Sequence, residues 1–291
     1  MKKTTITGVF CIAFLLQPVF LMGQRTPSSQ GFNSRDPSAD MDRAFNSAEN
    51  PPTLEDEYYL GRAVAANILA NYKLYNQNIE LTLYLNRILQ SLVINSEKPQ
   101  IFNGYHLVIL DTQGYNAYAT PGGHIFITKG LVEAASSEDQ LAAIIAHELG
   151  HIILRHAASI IDDMRLNEEM ASMAQQAAAF AGKGNEGAQR ALAFRNSVTG
   201  VIDTMLKNGF SKSQEFEADK KAAAILAASG YNPGALVEIL NILQKVQQSQ
   251  AGGFNSTHPS PSERISNVTL EISRYKVTDT RPVRSSRFKN K

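Results

Sequence analysis

His147-Glu148-Leu149-Gly150-His151 is the stretch from which the rest of the chain is read. Two histidines four residues apart project from one face of an α-helix, so both imidazoles can reach a single metal ion. Glu148 lies roughly 100° around the helix from the first histidine. It can stand beside the metal without ligating it and take a proton from a water activated there. With six histidines in 291 residues, chance would produce this spacing in on the order of 1% of such chains.

The flanking residues argue against a merely solvated helix face. Leu141, Ile145, Leu149, Ile152 and Ile153 form an apolar stripe at spacings of three and four, which predicts a helix over 139–156. Ser136 and Ser137, followed by Asp139 and Gln140, supply a capping-box start. Apolar residues dominate 142–146, so the histidines belong to a buried helix. Burying two histidines and a glutamate is costly unless something compensates them, and a metal ion does so.

A hydrolytic site of this type needs a third protein ligand and one open position. Leu154 and Ala157 stand where a three-histidine extension of the motif would carry glycine and histidine. The remaining source is a carboxylate on a later helix, and the best candidate is Glu215 in Gln214-Glu215-Phe216-Glu217-Ala218-Asp219. Ser211 with Gln214 can cap that helix. Glu215 and Asp219 share a face, with Asp219 placed to orient a ligand histidine through its other N–H. Glu168 and Glu169 are also available, and an acidic face pairing with Lys220 and Lys221 is the plain alternative.

Further segments follow a known order: Asn116-Ala117-Tyr118-Ala119-Thr120-Pro121-Gly122-Gly123, Thr128-Lys129-Gly130-Leu131, the His147–His151 motif, Glu215–Asp219, and His258-Pro259 followed by Arg264. Together they resemble the M48 family of zinc metallopeptidases, of gluzincin type, which includes CAAX-processing and bacterial periplasmic members. The resemblance spans roughly residues 55–275. It implies one Zn2+ per chain held by His147, His151 and Glu215, with Glu148 as general base and Asp219 orienting a ligand or donating a proton. It also implies an α+β, predominantly helical, zincin-like domain whose small sheet, about residues 105–127, lies beside the metal helix.

Tyr105 to Leu110 and Ile125-Phe126-Ile127 read as strands, with the Pro121-Gly122-Gly123 turn before the second. The resemblance implies that Gly122, Gly123, His124 and Ile125 form an edge that binds an extended peptide through main-chain hydrogen bonds. A plain hairpin turn is the alternative, and His124 reads more readily as a half-exposed strand residue than as a pocket wall. His258 lies on a loop after Gly252-Gly253. On the resemblance it either steadies the oxyanion or ligates zinc and keeps the enzyme latent; otherwise it is a surface histidine. Arg264 is expected to anchor the loop or the substrate by a bidentate contact with a carboxylate. His156 reads as a partner of the helix C-terminal dipole.

At the N-terminus, Lys2-Lys3 precedes the apolar stretch Ile6–Met22, a signal peptide over 1–23 with cleavage after Gly23. An uncleaved signal acting as an anchor is the alternative. Cys11, the only cysteine, falls within this segment without a lipobox, so the mature chain has neither disulfides nor zinc-thiolate ligands. Residues 24–52 read as a disordered leader rich in Ser, Asn, Pro and Gln. Residues 53–275 form one metallopeptidase domain, and 276–291 a flexible basic tail. The periplasmic relatives that carry a helical-repeat extension are much longer than this chain.

Helices are expected at about 53–72, 77–95, 139–156, 158–181, 187–207, 213–229, 233–249 and 261–274. The alanine- and methionine-rich stretch 164–182 reads as an amphipathic cover over the cleft, with a hinge at 182–187. A net charge of +1 gives no basis for nucleic-acid binding. No second apolar span of about 20 residues follows the signal, so no integral membrane domain is expected after its cleavage. The expected protein is a periplasmic or secreted zinc endopeptidase acting on polypeptides, misfolded envelope proteins among them. The alternative is a zinc-bound envelope chaperone or assembly factor in which proteolysis is latent or secondary.

Overall fold

The computed structural model describes residues 53–157, 159, 199, 202, 209–249, 258, 261–276 and 281–289. The expected signal peptide and leader, the expected hinge, and the expected helices at 158–181 and 187–207 apart from residues 159, 199 and 202 lie outside the described residues. Helices α1 (Leu54–Asn71) and α2 (Ile79–Ile94) come first, followed by strands β1 (His106–Leu110), β2 (Ala117–Ala119) and β3 (His124–Thr128). Helices α3 (Lys129–Ala134), α4 (Glu138–Ile153), α5 (Lys212–Ala228), α6 (Ala235–Ser249), α7 (Pro261–Ile272) and α8 (Arg281–Lys289) complete the described elements. The fold is α+β and predominantly helical, with one small sheet, as the sequence predicts. The expected helix bounds agree with these to within about two residues except at the end of α4, which stops at Ile153, three residues short of the expected His156; α3 and α8 are not among the expected helices.

The sheet has the order β1-β3-β2. β1 runs parallel to β3, pairing His106 with His124 and Leu107 with Ile125, while β2 runs antiparallel and pairs Ala119 with Ile125. Alternation along each strand divides the core. Leu107, Ile109, Ile125 and Ile127 face α2, α4, α5 and α6 in the larger cluster, whereas Leu110 and Phe126 face α1 in the smaller one. Fully burying each of these apolar side chains contributes about 1.5–3 kcal/mol, which fixes the sheet against α4.

The expectation that Gly122, Gly123, His124 and Ile125 form an edge strand is corrected by this topology. His124 and Ile125 belong to the middle strand and pair on β1 and β2. Gly122 adopts φ 74, and a Cβ there would lie 2.4 Å from the Tyr58 Cα of α1. A Cβ on Gly61 of α1 would in turn lie 1.6 Å from the Pro121 carbonyl oxygen. These glycines let α1 press on the turn, so their open space is already filled by protein. The edges of the sheet are β1 and β2; residues 73–75 bond to the outer side of β1, whereas β2, residues Ala117–Ala119, has no further strand on its outer side among the described residues.

The tail is corrected too. Residues 281–289 form α8, packed on the start of α4. Arg284 is buried and donates from Nε to Asp139 Oδ2 at 2.9 Å, while Arg287 donates to Glu138. Glu138 and Asp139 are themselves buried in the first turn of α4. Burying those carboxylates requires cationic partners, and the C-terminal arginines supply them.

Candidate metal centre

Two crossing helices carry the donor atoms. Ser137 caps α4 by accepting the Gln140 N–H, while Gln140 Oε1 takes the Ser136 N–H. The helix then runs fully buried through His147, Glu148 and His151. Ser211 and Gln214 form a reciprocal capping box that starts α5, which puts Glu215 in its first turn and Asp219 one turn later. Both carboxylates are buried against α4.

His147 Nε2 and His151 Nε2 are 3.1 Å apart. Glu215 Oε2 is 3.4 Å from His147 Nε2, and Glu215 Oε1 is 3.4 Å from His151 Nε2. Tetrahedral bonds of about 2.0–2.1 Å put donor atoms about 3.3–3.4 Å apart. The spacing therefore suits a single zinc-sized ion. His258, also buried, brings Nδ1 to 2.8 Å from Glu215 Oε1, and donor atoms of all four residues lie within 4.8 Å of one another.

Charge balance points the same way. Glu148, Glu215 and Asp219 are buried around one buried guanidinium, Arg264. With neutral histidines and all three carboxyl groups ionised, the forms that metal binding requires, one guanidinium leaves two negative charges to be compensated. Isolated buried charge is strongly unfavourable, and a divalent cation cancels this excess. Glu148 Oε1 is buried and accepts no hydrogen bond among the described residues.

The sequence profile of peptidase family M48 matches residues 80–272. The chain belongs to peptidase family M48. It is 25% identical over 224 residues to the "Beta-barrel assembly-enhancing protease" of Escherichia coli O157:H7, covering 76% of this chain and 45% of that protein. It is 26% identical over 189 residues to the "Mitochondrial metalloendopeptidase OMA1" of Schizosaccharomyces pombe, covering 64% of this chain and 52% of that one. The chain thus spans about half the length of the curated relatives it matches. M48 metallopeptidases are zinc-dependent, in agreement with the buried donor set.

Around the M48 motif, a layer of contacts fixes each group. His147 Nδ1 lies 2.9 Å from Asp219 Oδ1. Asp219 in turn accepts two hydrogen bonds from Arg264, Nε at 2.8 Å and Nη2 at 2.6 Å. Arg264 does make the expected bidentate contact, but it is buried on α7 and its carboxylates are Asp219 and Glu215. The expectation that it binds substrate is corrected: its fork holds the acids of the site. The reading of His258 as a surface histidine is corrected as well, since that ring is buried, with Nε2 3.9 Å from Glu148 Oε1. His124 is half-buried and stacks on Tyr58.

The protonation of these groups follows from their surroundings. Burial pushes the Glu148 carboxyl up, and the nearby His258 and His147 offset this only in part. Burial also opposes charge on Glu215, but His258, Arg264 and the two motif histidines outweigh it and hold the carboxyl well below its ordinary range. Burial and Arg264 disfavour charge on His147; Asp219 and Glu215 prevail and raise it. At His151 burial prevails and lowers it. Two lone pairs 3.1 Å apart repel, so a proton or a metal ion stands between the motif imidazoles, and metal binding releases that proton.

Sequence reasoning gave His156 no contact with the site, and passed over Phe210. Phe210 stacks on the His151 ring at 4.3 Å, and the His156 ring lies 5.0 Å from it. The spacing of five between His151 and His156 has no helical meaning, and Phe210 carries no motif, so neither gave a signal.

Proposed function

We propose that the chain is a zinc-dependent endopeptidase in which His147, His151 and Glu215 hold the metal and Glu148 is the general base. The observation that carries this is the donor triangle of His147, His151 and Glu215, in which the two Nε2 atoms are 3.1 Å apart and each lies 3.4 Å from a different Glu215 oxygen, set among three buried carboxylates and one buried guanidinium. A bound zinc ion supplies Lewis acidity, which lowers the pKa of a water and polarises the scissile carbonyl. Glu148 takes the proton of the attacking water and delivers it to the leaving amine. Its raised proton affinity suits both steps near neutral pH. Asp219, clamped by Arg264, holds His147 in the tautomer whose Nε2 faces the metal.

An extended polypeptide lies along the outer side of β2 and makes main-chain hydrogen bonds there. Beside His147 and Glu148 is a narrow apolar recess of about 10 Å3, room for about one water molecule, walled by Ala143, Ile144, Leu236, Ile239, Leu240 and Leu243. His258, whose Nε2 lies 3.9 Å from Glu148 Oε1 and whose Nδ1 lies 2.8 Å from Glu215 Oε1, keeps the enzyme latent. His258→Ala raises cleavage under this reading and lowers it if the ring steadies the oxyanion.

The apolar N-terminal stretch after Lys2-Lys3 supports export to a periplasm or to the exterior, with residues 24–52 as a leader. Envelope polypeptides are then the substrates, in keeping with a relative named for enhancing β-barrel assembly. None of the helices among the described residues is long and apolar enough to cross a membrane. A pure zinc-binding chaperone has no need of a base at Glu148, so the peptidase reading is preferred. Metal analysis should find about one zinc per chain, and casein cleavage should vanish in a Glu148→Gln protein that retains its zinc. Cleavage that survives this substitution rules out the catalytic assignment.

A further inference from the structure

The two motif histidines are fixed by different chemistry. His147 meets a carboxylate, Asp219. At His151 the Nδ1 atom lies 2.9 Å from Nδ1 of His156, a buried neighbour. If Nε2 of His151 faces a metal, its proton is on Nδ1, and His156 must accept with its own Nδ1 bare. His156 then carries its proton on Nε2, which lies 3.4 Å from Glu217 Oε2. One set of tautomers satisfies the whole chain from metal site to surface.

The backbone is shaped to make this contact. α4 ends at Ile153, and Arg155 takes the left-handed conformation with φ 60. That conformation is uncommon for a residue with a Cβ. The Arg155 side chain forms an ion pair with the buried Glu57 of α1. The reversal at Arg155 turns the chain so that His156 lies against His151 instead of continuing the helix. Phe210 stacks on the face of the His151 ring and fixes its plane.

We infer that His156 is a positioning residue for the metal site, a neutral acceptor that orients His151 through its Nδ1–H. This rests on the zinc reading above. It also explains the choice of residue. A carboxylate here would orient the ring equally well, but it would add a further negative charge to a site in which a divalent cation already balances the buried groups. An imidazole acceptor fixes the ring and leaves the balance intact.

The test compares zinc affinity of the full chain, by competition with a chromophoric chelator, for wild type, His156→Asn, His156→Gln and His156→Leu. Asn places its carbonyl oxygen near the position of Nδ1, whereas Gln reaches toward that of Nε2. Loss of such an orienting contact weakens metal binding by about 10–100-fold. That loss is expected for Leu and Gln, and Asn should restore affinity to near wild type. Melting of the EDTA-treated proteins checks that each variant folds, and the Asn–Gln pair decides the matter even where Leu does not. Equal affinity for all variants, or equal loss in Asn and Gln, overturns the inference while leaving the zinc site standing. Absence of zinc binding by the wild-type chain instead removes the zinc reading, and the inference with it.

Discussion

Gly150, between Glu148 and His151 in the motif, should be replaceable by alanine only at the expense of metal binding. A Cβ at position 150 would lie 2.9 Å from the carbonyl oxygen of Ala218 and 3.3 Å from its Cα. Ordinary contact begins near 3.4 Å, and the obstructing atoms are backbone, so α5 must retreat by about 0.5 Å at this crossing. Ala218 is flanked by the two carboxylates that matter, with Asp219 next to it and Glu215 three residues earlier. Metal–ligand distances tolerate only about ±0.2 Å, so the retreat exceeds what the donor triangle accepts. The stability of the metal-free protein should change little by comparison. Alanine gains about 1 kcal/mol of helix propensity over glycine, against about 1–3 kcal/mol for overpacking. The net loss is therefore about 0–2 kcal/mol. Zinc affinity, measured by chelator competition, should fall about 10–100-fold, the range for a misdirected ligand. Melting of the EDTA-treated protein provides the second measurement. Wild-type zinc affinity accompanied by a marked loss of metal-free stability would refute the reasoning, because the crossing would then be a packing contact with no bearing on ligand placement.

Asp219→Asn removes one of the three buried carboxylates and loosens the Arg264 clamp, so zinc affinity should drop by about 10–100-fold in the same competition assay. Unchanged affinity would undo the charge-balance argument. Arg284→Ala leaves Asp139 buried without its cation, and should cost about 3–5 kcal/mol in denaturant unfolding, with a smaller loss when Asp139→Asn accompanies it. A loss under 1 kcal/mol would mean that α8 does not hold the start of α4. Burial pushes Tyr105 and Tyr231 up to about 12 from an ordinary value near 10. The fold favours their neutral forms, so this stabilisation is complete below pH 10 and is lost as pH rises toward 12, by about 3 kcal/mol per tyrosine. Phenolate absorbance from these residues should appear together with loss of far-ultraviolet circular dichroism. Their ionisation near pH 10 in folded protein would contradict the burial.

What the sequence disclosed about this site was whatever helical spacing encodes. His147 and His151 at four apart, Glu215 and Asp219 at four apart, and the Ser–Gln cap ahead of α5 are relations within one or two turns, and each has the geometry expected of it. Strand order is not a local relation. The alternation in residues 124–128 marks a strand but is silent on whether its neighbours lie on one side or both, so it suggests an edge where β3 is the middle strand between β1 and β2. The same blindness applies to charge. Arg284 and Arg287 stand in a stretch of Arg, Lys and Ser that has every mark of a solvated end, and their partners, Glu138 and Asp139, read as ordinary first-turn acids of α4. Neither half of the pair is odd by itself, and only burial of both makes each necessary to the other. His156 belongs with them: its meaning depends on a left-handed residue at Arg155 and on Glu57, almost a hundred positions away, which holds that residue there. The chemistry of this centre is thus written in short repeats along two helices, while the rigidity that chemistry needs comes from contacts that no window of sequence contains. Variants that disturb the second group should therefore alter metal affinity through residues that no motif would single out.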